Sequence, residues 1–152
     1  MKKFIVWTMH ESPALQQLGL AIIRISFGVV FLIFGYQKLT SGSAHLTQIG
    51  SAMGLFGITR GYVLWGYLAA LTELCGGLAF TTGFCTRIAA LPLMWLLIVA
   101  LRFHLQKADP FTSWAFACIC LCIVIGFFIA GSGIYSVDHF TSSAAQEFEH
   151  RL

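Results

Sequence analysis

Two ionisable side chains, Arg24 and Glu73, stand deep inside long apolar runs of the sequence. An unpaired charge near the middle of a bilayer costs roughly 2.5 to 3.5 kcal/mol or more, so each must be paired or put to use. A carboxylate in apolar surroundings can exchange protons or hydrogen-bond the polar head of a bound molecule. Arg24 lies about nine residues into its run, and Glu73 about eight before the end of a run that returns to the same side. At about 1.5 Å of rise per residue their levels agree to within a turn. Each also sits on a small-residue stripe, Ala21, Arg24, Gly28 and Gly35 on one run and Gly66, Ala70, Glu73 and Gly77 on the other. Small residues let membrane helices approach closely. The sequence therefore predicts an Arg24–Glu73 pair, read either as an ion pair that fixes helix register or as a candidate intramembrane site in which Glu73 handles protons.

The five cysteines point to packing more than to chemistry. Cys118, Cys120 and Cys122 alternate along one run, so Cys120 faces away from the other two and three thiolates cannot converge on a metal. No Cys-x-x-Cys pair occurs. Cysteine also packs as a small apolar residue, and Cys118, Cys122 and Gly126 form a third small-residue stripe. Cys85, near a run's end and two residues from Arg87, is the candidate reactive thiol. No histidine pair has helical ligand spacing, so neither a metal nor a haem site is predicted.

The elements that must position these residues are membrane helices. The chain is 58% hydrophobic and 10% charged, outside the range of a soluble domain. Its net charge of +3 is dispersed, which excludes a nucleic-acid-binding face. Four stretches, 15–35, 61–81, 88–103 and 111–130, are apolar and reach the length of about 17 to 25 residues that spans a hydrocarbon core, the third being the shortest and just at its edge. Pro92 falls in the opening turns of the third, where proline is best tolerated, and Asp109-Pro110 is a start signal for the fourth. Leu46, Ile49, Met53 and Phe56 recur at helical spacing, which predicts an interfacial amphipathic helix over 44–56. The six residues from Thr82 to Arg87 enforce a tight hairpin. Met1 to Pro13 reads as an interfacial lead-in rather than a cleavable signal, because Thr8, His10, Glu11 and Pro13 interrupt its apolar stretch. The expected fold is an all-α, single-domain integral membrane bundle of four helices with both termini on one side. Lys2, Lys3, Arg87 and Arg151 on that side balance Lys38, Arg60, Arg102 and Lys107 on the other, so charge asymmetry sets no orientation.

Three segments, RISFGVVFLIFGYQKL (24–39), ELCGGLAFTTGFCTRIAAL (73–91) and GSGIYSVD (131–138), together resemble the DoxX family. The resemblance covers nearly all four helices in order. It implies a four-helix protein of the bacterial inner membrane with both termini in the cytoplasm. It also implies association with redox enzymes, since relatives include the membrane subunit of thiosulfate:quinone oxidoreductase. The family's marked polar residues fall on Arg24, Lys38, Glu73, Arg87 and Asp138. Of these, Arg87 and Asp138 lie on one side of the bundle and are expected to pair at the interface. The leading expectation is a membrane subunit of an oxidoreductase, rather than a complete enzyme, that couples a redox partner to quinone. The alternatives are an oligomeric transporter or channel for a small solute, and a scaffold that docks a soluble enzyme.

Overall fold

Helix α1 (Pro13–Thr40) begins with proline at its first position, where the missing N–H would have no intrahelical acceptor. The molecule is described here as a computed structural model covering residues 12–149, with side chains through Ser143. Residues 1–11 of the lead-in, with Lys2 and Lys3, and Arg151 lie outside the described residues, while Pro13, expected to close the lead-in, opens α1. Helix α2 (Ser43–Gly50) and a 3₁₀ segment (Ser51–Phe56) precede α3 (Tyr62–Thr82), α4 (Thr86–Gln106), α5 (Phe111–Ala130) and a final helix α6 (Val137–Glu149). Four of these, α1, α3, α4 and α5, are long and apolar enough to cross a membrane. The described residues form an all-α membrane bundle.

Between membrane helices the hydrophobic effect gives little drive, so packing and polar contacts decide who neighbours whom. The glycine stripes do this for α1 and α3. A methyl group at Gly35 would lie 2.6 Å from the Leu74 amide nitrogen, and one at Gly77 would lie 2.5 Å from that of Leu32. The two backbones touch along several turns. On the next side Phe80 is fully buried and meets Phe27 at 5.2 Å and Phe127 at 5.5 Å between ring centroids. Leu93, Leu97, Cys120 and Val124 complete that core from α4 and α5.

Three expectations change. Helix α1 continues five residues past Gly35, which carries Lys38 inside the helix. Segment 43–56 does not simply float on the interface: Leu46 is fully buried, and its backbone lies against Gly66 so closely that no Cβ would fit there. The third change concerns Cys118, Cys122 and Gly126. Cys122 is exposed and Gly126 has open space around it, whereas Cys120 is the thiol buried in the core. The stripe faces away from the bundle, because α5 turns Ala117, Cys120, Val124 and Phe127 inward.

Candidate functional site

Arg24 and Glu73 do not meet. The guanidinium of Arg24, on a residue 1% exposed, donates from Nη1 to the carbonyls of Phe80 (2.5 Å) and Thr81 (3.2 Å). Its Nη2 donates to the Tyr135 carbonyl at 2.6 Å. Phe80 and Thr81 are in the last turn of α3, whose carbonyls lack intrahelical partners and carry the negative end of the helix dipole. Arg24 is a cationic cap for α3, and it ties that cap to the chain entering α6. Two causes separate it from Glu73. The glycine contacts set the register so that Gly28 lies by Gly77 and Thr81, and Gly35 by Ala70 and Leu74, which puts Glu73 more than two turns from the level of Arg24. Helical side chains also lean toward their own N-terminus, so in this antiparallel pair Arg24 and Glu73 lean apart.

The same knot on the terminal side holds Asp138. Its carboxylate accepts the amide N–H of Cys85 at 2.7 Å and of Thr86 at 3.2 Å, and its own N–H donates to the Gly83 carbonyl at 3.0 Å. An anion thus closes the electropositive start of α4. Cys85, the residue before α4, has a left-handed backbone at φ 51°, and its amide is fixed by that carboxylate. The expected Arg87–Asp138 pair is absent. Arg87 Nη2 donates to the Ile129 carbonyl at 3.1 Å, since Asp138 is already engaged by backbone amides. Ser136 accepts the His139 N–H at 3.2 Å and starts α6, an N-cap with its partner at the third helical residue. That signal marks a helix that the hydropathy of the sequence alone does not.

On the opposite side lies the arrangement suited to chemistry. Lys38 Nζ donates to Glu73 Oε1 at 2.5 Å, with the Glu73 side chain 5% and the Lys38 side chain 26% exposed. The lean that parts Arg24 from Glu73 brings these two together: Lys38 points inward from the last turn of α1, and Glu73 points toward the start of α3 to meet it. Glu73 Oε2 is buried with no hydrogen-bond partner. An ammonium has three donors and this carboxylate uses one, so Lys38 retains capacity toward its open side.

That side is a half-open cavity of about 560 Å³ between α1, α2, the 3₁₀ segment, α3 and α4. Trp65, Leu68, Trp95, Leu96, Val99 and Phe103 supply apolar walls, and Lys38, His45, Gln48, Thr72 and His104 supply polar groups. His104 Nδ1 lies 2.7 Å from Asp109 Oδ2. This contact corrects the expected role of Asp109, whose carboxylate is engaged by His104 while α5 starts after Pro110 without a side-chain cap. The size and the mix of apolar walls with a few convergent polar groups match a small-molecule site. No cluster of three or more His, Cys, Asp or Glu side chains suited to a metal occurs among the described residues. The sequence pointed to Glu73 and Lys38 separately, but not to their pairing or to the chamber that Lys38 lines with His45, Gln48 and His104. The usable signals were the lean of helical side chains and the run of α1 up to Gly42.

Comparison with known proteins gives the chain a family and an inner-membrane relative. The family model for DoxX matches residues 19–106, which include Arg24, Lys38 and Glu73 and all the lining residues named above. Inner membrane protein YqjF of Escherichia coli (strain K12) is 35% identical over 128 residues, covering 82% of this chain and 92% of that protein. No solved structure matches. The chain belongs to the DoxX family.

Proposed function

We propose that this chain is a bacterial inner-membrane subunit of a redox system, and that the cavity beside Lys38 and Glu73 holds the head of a quinone. The observation that carries the reading is a buried carboxylate oxygen, Glu73 Oε2, left without a partner one ion pair away from an apolar chamber of about 560 Å³. Both the donors and the chamber fit such a head: Lys38, His45, Gln48 and His104 can donate to its oxygens, and Trp65, Trp95 and Phe103 offer flat apolar faces. A bound quinone would supply an acceptor for two electrons and two protons, the electrons coming from a partner protein. Lys38 Nζ would donate a hydrogen bond to the head, and Glu73 Oε1, accepting from the same ammonium at 2.5 Å, would hold that donor in place. Asp109 Oδ2 holds Nδ1 of His104 and so orients the ring, leaving Nε2 as the atom available to a ligand. The relative's name, an inner membrane protein, and the four spanning helices support the location, and the family resemblance supports cytoplasmic termini, which would open the cavity toward the periplasmic side.

The test is mass spectrometry of an organic extract of the protein purified in mild detergent. The expected result is co-purified quinone near one per chain, lost in Glu73→Gln and Lys38→Met but retained in Cys122→Ala on the outer face of α5. Absence of quinone from the native sample would overturn the reading.

A further inference from the structure

The charge arrangement of the cavity carries a conclusion about which ligands it refuses. Lys38 is the one Lys or Arg among its described lining residues, and its ammonium already faces a carboxylate, Glu73 Oε1, at 2.5 Å. His104 likewise faces Asp109 Oδ2 at 2.7 Å. Arg102, close by in sequence, stacks over the Phe56 ring at 5.7 Å and lines a neighbouring groove instead. His45, Gln48 and Thr72 remain, each able to donate or accept a hydrogen bond.

Resting on the quinone reading above, we propose that the cavity selects neutral molecules with an apolar body and hydrogen-bond-accepting oxygens, and rejects anions of the same shape. An anion moving in from water would lose its hydration among Trp65, Trp95, Leu96 and Phe103. It would meet Lys38 and His104 only with the carboxylates of Glu73 and Asp109 behind them, so attraction to each donor is offset by repulsion from its partner. A neutral carbonyl loses less hydration and still receives the hydrogen bond. Rejection by uncompensated desolvation is a common route to specificity.

The experiment uses the full chain in nanodiscs of zwitterionic lipid, with Trp7→Phe and Trp114→Phe introduced so that Trp65 and Trp95 report from the cavity walls. The probes are an alkyl methylnaphthoquinone and its alkyl hydroxynaphthoquinone twin, which is ionised in mildly alkaline buffer; both quench tryptophan and share ring and chain. After correction for partition into protein-free discs, the neutral twin is expected to bind at least about tenfold more tightly. Glu73→Gln leaves the Lys38 charge unbalanced and is expected to tighten the anionic twin by about tenfold or more, whereas Lys38→Met with Glu73→Gln is expected to abolish that gain. Equal or tighter binding of the anion to the native cavity would overturn the selectivity while leaving the quinone reading intact. Saturable binding of neither twin would overturn both. If Glu73→Gln does not fold, the comparison on the native cavity decides alone.

Discussion

Breaking the contacts of Glu73 one at a time separates its true partner from the one its sequence suggests. Lys38→Met strands a carboxylate that is 5% exposed, and removing one partner of a buried pair costs about 3 to 5 kcal/mol. Glu73→Gln strands an ammonium that is 26% exposed and can turn toward water, so about 1 to 2 kcal/mol is expected. Two charges about 4 Å apart at an effective dielectric of about 20 attract by about 4 kcal/mol. The opening of Lys38 to solvent screens part of this, which leaves a coupling energy of about 2 to 3 kcal/mol in the Lys38–Glu73 double-mutant cycle. The Arg24–Glu73 cycle differs. Arg24 bonds the carbonyl of Phe80, about two turns from Glu73 along α3, or about 10 Å of rise. Sites so separated add to within about 0.5 kcal/mol. Arg24→Met should be costly by itself, about 3 kcal/mol or more, because three carbonyls lose their donor. The assay is reversible unfolding in mixed micelles titrated with dodecyl sulfate and followed by circular dichroism. An Arg24–Glu73 coupling equal to or above that of Lys38–Glu73 would refute the register and the side-chain directions on which the site rests.

Further outcomes are expected elsewhere in the bundle. Gly77→Val forces a side chain against the Leu32 amide and the Gly28 carbonyl and should lower stability by about 3 kcal/mol or prevent folding, read as a fall in thermal midpoint against Gly126→Val, which meets open space and should be nearly neutral. Asp138→Ala uncaps Cys85 and Thr86 and should cost about 1 to 2 kcal/mol, whereas Arg87→Ala, which loses one exposed contact to a carbonyl, should cost under about 1 kcal/mol; equal losses in the same unfolding assay would revive an Arg87–Asp138 pair. A membrane-impermeant maleimide should label half-buried Cys85 in inverted vesicles and spare Cys120; labelling of Cys85 from the periplasmic side instead would reverse the proposed orientation.

Much of the fold was legible because a bilayer leaves few options. Runs of apolar residues long enough to span it are helices, and the stripes through Gly28, Gly35, Gly66 and Gly77 named the faces that touch. What the stripes could not give was the offset between α1 and α3. A plausible choice of helix ends placed Arg24 level with Glu73, and only the backbone contacts of Gly28 and Gly35 show that Lys38 occupies that place. Asp138 was similarly legible as a marked polar residue but not as a cap, since a carboxylate facing backbone amides leaves no pattern in side-chain spacing. The fifth long helix, α6, is amphipathic rather than apolar, and its one local cue is the Ser136 cap. The cavity was invisible because segment 38–53 lines it only together with faces of α3 and α4 further along the chain, with Lys38, His45, Thr72 and His104 each unremarkable alone.

Photoaffinity labelling addresses the central claim most directly. The full chain in native-lipid discs would be illuminated with an azidoquinone and its adducts mapped by peptide mass spectrometry. The account predicts labels on the cavity wall, on peptides carrying Trp65, Trp95 or Phe103, displaced by excess unlabelled quinone and lost in Glu73→Gln. Labels spread over the lipid-facing residues of α5, or concentrated at the Arg24 and Asp138 knot and indifferent to Glu73, would contradict it.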